Sequence, residues 1–473
     1  MRRRRVLVAL LAGAVTASGC VDLAPRYGRP APPVPASLPA GGVYPAAPAA
    51  ERSPPPWRAF FSDPKLLALI DMALRENRDL RAAAAQITEA RARYQVQRAA
   101  LFPTVAVTAG PSFLSEPAGV AEGVGAIGGS FNEKLYSLTG GVAAYELDLF
   151  GKVRDLTRAA RDQYLASREG RDALQITVVA AVANQYLTLA SDEALIAVAR
   201  RSLASGEASV AVTKRRFDSG VDDELALSQA ETVVQQADYD IERLSAQFAQ
   251  DRNALDLLVG AHVGDALMPA GDLADVAVQD GIPRATASSV LLGRPDVLQA
   301  EDQLRAASVN IGAARAAFFP SIVLTGSGGV ESLALSNLFQ ASSGVWSFAP
   351  TISQTIFDGG ANSGALKLAK GQRDEAVADY EKAVQSAFRD VANALAVRGT
   401  IQRQLEAQQR LVAAAQTAER IARARYDSGA DTYLNLLIAE RSLFTTQQSL
   451  VGVELLRAQN VVALYAALGG GAG

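Results

Sequence analysis

The chain holds one cysteine and one histidine among its 473 residues. A disulfide within the chain is impossible, and a His/Cys metal site or a Cys–His nucleophile pair has too few parts. Basic residues number 46 against 49 acidic ones, for a formal net charge of −3. That balance argues against nucleic-acid binding, which requires a basic surface. The carboxylates form no motif that reads as catalytic, so composition points away from an enzyme. Beyond the first residues no uninterrupted run of apolar residues reaches the ~18 that a membrane helix needs. The segment from Ile176 to Ala190 comes nearest and is broken by Asn184 and Gln185. Proline is missing between Pro117 and Pro269 and again after Pro350. Because proline breaks helix interiors, these gaps leave room for very long helices. Lys152 to Asp218 is 67 residues, roughly 100 Å of helix at about 1.5 Å per residue. Gly170 and Gly206 interrupt it only mildly.

What proline there is gathers elsewhere. Eleven of the 20 prolines lie between Pro25 and Pro56, in a stretch that cannot build a core and reads as an extended tether. Ahead of it, Met1 to Arg5 is basic, Val6 to Ala17 is apolar but too short to span a bilayer, and "TASGC" ends at Cys20. This reads as a bacterial lipoprotein signal whose Cys20 is acylated and becomes the new N-terminus. Ala17 stands where such a signal more often has Leu. Removing the signal takes four arginines with it, leaving a charge of about −7 (−3 − 4). Val21 after the cysteine favours forwarding to the outer membrane.

The rest of the chain is written twice. "RRFDSGVDDELALSQAE" begins at Arg215 and "RYDSGADTYLNLLIAER" at Arg425, with Phe217 and Tyr426 209 positions apart (426 − 217). Behind the first turn Leu227, Val234, Ile241, Phe248 and Leu255 recur every seven residues. Their companions are Ala230, Ala237, Leu244, Asp251 and Leu258, an a/d seam for another helix. The second seam runs Leu436, Leu443, Leu450, Arg457, Leu464, with Ala439, Thr446, Val453, Asn460, Ala467. Upstream, "RAALFPTVAVTAG" (Arg98 to Gly110) answers to "RAAFFPSIVLTGSG" (Arg315 to Gly328). Each proline there stops a helix and opens a Thr/Val/Ile-rich stretch of strand character. A second strand candidate follows in each half, "YSLTGGVAAYELDLF" and "VWSFAPTISQTIF", with Tyr136, Trp346 and Phe348 as interface anchors. Each half therefore reads helix, hairpin, long helix, turn, long helix. Roughly ten-residue alternating strands are the signature of an outer-membrane barrel. Four strands cannot close one, and open edges are not tolerated in hydrocarbon. Strands that span a membrane must then be completed by identical neighbours. The bland alternative is a lipid-anchored coiled-coil scaffold without a pore.

The expected organisation is a signal (1–19), an acylated Pro-rich tether (20–61), a first repeat (62–260), a linker (261–294), a second repeat (295–469) and a short tail (470–473). The first repeat places its β-hairpin at 103–150 and its helical tip near 218–222. The second places them at 320–357 and near 427–431. Gly220 and Gly429 suit the left-handed residue that ends a helix. Asp222 and Asp431 are expected to N-cap the returning helices.

"WRAFFSDPKLLALIDMALRENRDLRAAAAQITEARA", "ELDLFGKVR", "RPDVLQAEDQLRAASVNIGAARAAFFPSIVLTGSGG" and "RYDSGADTYLNLLIAERSLF" together resemble the outer-membrane efflux protein family, in its lipoprotein branch. The resemblance runs from about Cys20 to Gly469. It implies a mainly α homotrimer whose protomers each give four strands to a twelve-stranded membrane β-barrel and long coiled-coil helices to a periplasmic α-barrel. It implies as partners a periplasmic adaptor (membrane fusion) protein, an inner-membrane RND-type pump and outer-membrane lipid, with no cofactor beyond the lipid on Cys20. The tips, Asp218, Ser219, Gly220, Asp222 and Asp427, Ser428, Gly429, are the implied adaptor-docking points. The implied periplasmic aperture falls on Leu434, Asn435 and Ile438, with Asp431 at its mouth. Tyr426 and Arg441 match residues that pair with neighbouring helices. Relatives carry acidic side chains at the positions of Asn435 and Ile438, so an acidic ring is not expected here, and narrowing by apolar side chains is. The function implied is the exit duct of a drug-efflux system, with a protein-secretion duct as the alternative.

Overall fold

The computed structural model describes residues 22–47, 54–116, 131–269 and 287–471. The signal, Cys20 and half of the 261–294 linker (270–286) lie outside the described residues. After a single helical turn at Trp57–Phe60 come α1 (Pro64–Glu76) and α2 (Arg78–Ala99), then β1 (Val105–Glu116) and β2 (Phe131–Glu146). There follow α3 (Lys152–Asp218), α4 (Glu224–Val259), α5 (Pro295–Ala316), β3 (Ser321–Ser332), β4 (Gly344–Ser353), α6 (Ala361–Asp427) and α7 (Tyr433–Ala467). The two proline-free gaps hold the long helices, as expected, and the first also holds β2. Both α3 and α6 are 67 residues long, and their first residues are 209 apart (361 − 152). Gly170 and Gly206 are absorbed without a break.

The chain divides into two compact units, and each repeat contributes to both. The first takes the segment ending at Pro30 together with Thr88–Ala166 and Glu301–Ala378. At its centre is a four-stranded antiparallel meander in the order β1-β2-β3-β4. Both expected hairpins form, with Val105 opposite Val142 and Ser321 opposite Ser353. β2 also pairs β3 through an irregularity between Val142 and Tyr145. Among the described residues, the outer edges of β1 and β4 have no strand partner. All ten residues of β4 are exposed, Trp346 at 82%. Pro111 and Pro350 both fall on the outer strands, where a missing ladder donor is tolerated. The tether is extended but not loose. In this unit Glu301 receives Tyr27 Oη at 3.1 Å and pairs with Arg29, while Asp22 pairs with Arg158 at 2.8 Å.

The second unit takes the described parts of Ala31–Ile87, Ser167–Ala300 and Asp379–Gly473. Its core buries Phe60, Phe61, Leu66, Leu69, Ile70, Tyr186 and Tyr465, with Phe60 stacked on Tyr465 at 4.2 Å. Here too the tether is fixed, by Ser288 Oγ donating to the Pro35 carbonyl at 2.5 Å and by burial of Leu38. The first seam is recovered: Ala230, Ala237, Leu244 and Leu255 are buried, and Ile196 and Ala199 meet Leu244. The second seam buries Leu436, Thr446, Asn460, Leu464 and Ala467, whereas Arg457 faces out. α3 and α7 each contain an 18-residue window apolar enough to cross a bilayer by length and composition alone. In α3 that apolarity serves packing, since Val178, Val182, Ala183, Tyr186 and Leu187 are buried against neighbours.

Candidate functional site

α3 and α6 stop in the same way. Gly220 has φ +73° and Gly429 φ +76°, conformations that cost a residue with a Cβ about 1–2 kcal/mol. After each glycine the chain folds back on the last turn. Val221 N donates to the Arg216 carbonyl at 2.8 Å, and Ala430 N to that of Arg425 at 2.9 Å. Gly220 N and Gly429 N reach the Phe217 and Tyr426 carbonyls at 2.8 and 2.9 Å. This paired pattern is the Schellman stop. Asp218, Ser219 and Gly220, with Asp427, Ser428 and Gly429, are exposed at these two turns.

The expected N-caps are not the ones used. Asp223 caps α4, accepting from Ala226 N at 2.9 Å, and Thr432 occupies the cap position of α7 without a side-chain bond. In each turn an Arg–Asp pair claims the other aspartate. Arg216 holds Asp222 with Nε at 2.8 Å and Nη2 at 3.1 Å, a two-pronged fit to the carboxylate. Arg425 Nε holds Asp431 at 3.1 Å, and Asp431 also accepts from Thr432 N and from Asn435 Nδ2 at 2.6 Å.

Tyr426 joins the two tips. Its ring is fully buried among Ala230, Tyr433, Leu436 and Leu437. Its hydroxyl donates to Asp222 Oδ2 at 2.7 Å and lies 2.7 Å from Thr213 Oγ1. The Arg216 guanidinium sits 4.7 Å from the ring centre, and its Nη1 donates to the Tyr426 carbonyl at 3.0 Å. Burial, together with the Asp222 carboxylate, pushes the Tyr426 phenol up to about 12. Partial burial opposes ionisation of Asp222, but the bonds from Arg216 and Tyr426 outweigh it and hold the carboxyl below its usual range.

Further from the tips a charged cluster ties α3, α6 and α7. Arg423 Nε donates to Glu419 at 2.7 Å, and Nη2 to Glu440 Oε1 at 2.7 Å and Ser205 Oγ at 2.5 Å. Ser209 Oγ donates to the same Glu440 oxygen at 2.9 Å. Burial raises the pKa of Glu440 in spite of these donors.

On α7 the residues implied to form the aperture look outward. Leu434 is 50% and Ile438 57% exposed, Asn435 is exposed, and none of the three belongs to the tip core. Arg441 is exposed and, among the described residues, has no ion-pair partner, whereas Tyr426 does pair across helices. The structure thus gathers Tyr426 and Asp222 into one contact and Asp431 with Asn435 into another. Sequence reading missed Thr213, Arg216, Asp223, Arg423 and Glu440. The repetition of Arg216 and Arg425 at the same 209 spacing was the available signal for the arginines at the turns.

The profile of the family described as outer membrane efflux protein matches residues 69–261 and 286–470. The chain is 42% identical over 468 residues to a probable efflux pump outer membrane protein, TtgC, of Pseudomonas putida, covering 98% of this chain and 95% of that one. It is 39% identical over 459 residues to a probable outer membrane lipoprotein, SilC, of Salmonella typhimurium, covering 96% of each. Its fold superposes on the open state of the Neisseria gonorrhoeae MtrE outer membrane channel with a TM-score of 0.85 at 36% identity, covering 95% of this chain and 98% of that one.

Proposed function

This chain belongs to the outer membrane efflux protein family, and from that premise we propose that three copies assemble around one pore as the exit duct of a tripartite efflux system. The protein is an outer-membrane channel, not an enzyme. It carries small molecules such as drugs or other toxic compounds from pump and periplasm to the exterior, with the energy supplied elsewhere. The observation that carries the assembly is the sheet, whose four strands leave β1 and β4, among the described residues, unpaired at their outer edges. Unpaired backbone groups in hydrocarbon cost several kcal/mol each, and copies of the same sheet are the partners that satisfy them. Three copies supply twelve strands.

In this reading the exposed tips around Gly220 and Gly429 receive the hairpins of a periplasmic adaptor, which links the duct to an inner-membrane RND-type pump. Two similar tips per protomer give six near-equivalent contacts. Leu434 and Ile438, with Asn435 between them, narrow the mouth by apolar constriction more than by charge. Acylation of Cys20 anchors the mature chain to the membrane. Planar-bilayer recording on purified protein, paired with the mass of the detergent-solubilised assembly, tests the proposal. Discrete conductance steps and a three-chain mass are expected. A monomer without conductance would overturn it in favour of a scaffold.

A further inference from the structure

One aromatic knob and one basic socket are joined inside the protomer, while among the described residues no ring contact joins their duplicates 209 positions away. The knob is Tyr426, and the socket is formed by Thr213, Arg216 and Asp222. Counting 209 positions back from the knob gives Phe217; counting 209 forward from the socket gives Ala422, Arg425 and Asp431. Phe217 is 38% exposed, whereas Tyr426 is fully buried. Both sockets keep their Arg–Asp pair, yet the Arg425 side chain is 58% exposed against 19% for Arg216. The cover makes the difference. A tyrosine ring lies over Arg216, and among the described residues no ring lies over Arg425.

We infer that Phe217 of one protomer seats on Ala422, Arg425 and Asp431 of the next copy of this chain. The inference rests on the trimeric reading above. One contact inside each protomer then alternates around the ring with its duplicate between protomers, a head-to-tail contact that closes on itself. A guanidinium meeting an aromatic face is the attraction common to both junctions. Their polar chemistry differs. Phe217 has no hydroxyl, and Ala422 stands where the socket inside the protomer has Thr213. Asp431 takes Asn435 Nδ2 from the helix that follows it, in the place where Asp222 takes the Tyr426 hydroxyl. The contact between protomers therefore lacks the buried hydroxyl–carboxylate bond and is the weaker of the two.

The test uses the full chain in detergent with Phe217 replaced by the photo-crosslinking residue p-benzoylphenylalanine. The mass of the assembly is measured before irradiation. Irradiation is expected to give dimer and trimer bands that survive denaturation, with the link mapped by mass spectrometry to residues 421–431. The same replacement at Tyr426 should give only monomer-sized product, linked to residues 213–222. A trimer in which the Phe217 probe links within its own chain, or to another segment, would overturn the inference. A preparation that is not trimeric would remove the assembly reading and this contact with it. As a second measurement, Phe217→Tyr with Ala422→Thr supplies both missing hydroxyls. Hydrogen exchange in 421–431 should slow about fivefold in the trimer, and unchanged exchange counts against the contact.

Discussion

Asp192 carries a pH dependence that can be read in advance. It is buried beside Asp251, whose carboxylate accepts from Gln185 at 2.9 Å and Gln247 at 2.6 Å. Burial, and then the neighbouring carboxylate, push Asp192 up to about 7 from 3.8. A folded pKa above the unfolded one means that its contribution is complete below the unfolded value and is lost as pH rises through the folded one. Thermal stability is therefore expected to fall between about pH 4 and about pH 7, and Asp192→Asn should flatten that slope. Melting curves of both proteins across the range check it. Asp222 has the opposite sign. Its depressed pKa gives stability that is present above the unfolded value and lost as pH falls through the folded one. Tyr426→Phe removes a donor from that carboxylate and should destabilise the tip contact by about 1 kcal/mol. Faster hydrogen exchange confined to residues 213–222 is the expected reading. An equal rise across the whole helical hairpin would point to general loosening.

Ile438 is exposed on the helix that begins at Tyr433. If Ile438 lines the proposed aperture, Ile438→Asp places three carboxylates there and makes conductance sensitive to divalent cations added on the periplasmic side. Unchanged block relative to the parent would remove Ile438 from the aperture. The elements themselves were largely legible. Proline gaps left room for α3 and α6, the heptads gave the faces of α4 and α7, and Asp-Ser-Gly gave both turns. The caps were not, because "GVDDE" offers two adjacent aspartates. Arg216 takes the first and leaves the second, Asp223, for the helix. Thr213 and Glu440 were invisible for another reason: a polar residue on a long helix reads as solvated face until the facing helix is known. Glu440 is buried because Arg423 meets it there. The tether was legible as extended, but the contacts of Tyr27, Arg29 and Leu38 that pin it are long-range and leave no periodic trace.

The single cysteine makes the proposed lipid anchor testable. Cys20→Ser is expected to abolish incorporation of labelled palmitate while leaving the detergent-stable assembly intact, since strand pairing between copies does not involve the lipid. Loss of assembly would show that the anchor takes part in it. The matched 67-residue helices carry a last consequence, for how such a chain can change over generations. Dropping one residue from α3 alone would shorten it by about 1.5 Å and turn everything beyond by about 100°, swinging Thr213 and Arg216 away from Tyr426. A matching deletion in α6 would restore the level but turn Tyr426 by the same ~100°, so only a paired loss of about seven residues, two turns, keeps both level and facing. Length is therefore inherited in pairs, and a gap in one copy without its twin in the other marks a descendant that has had to rebuild its tips.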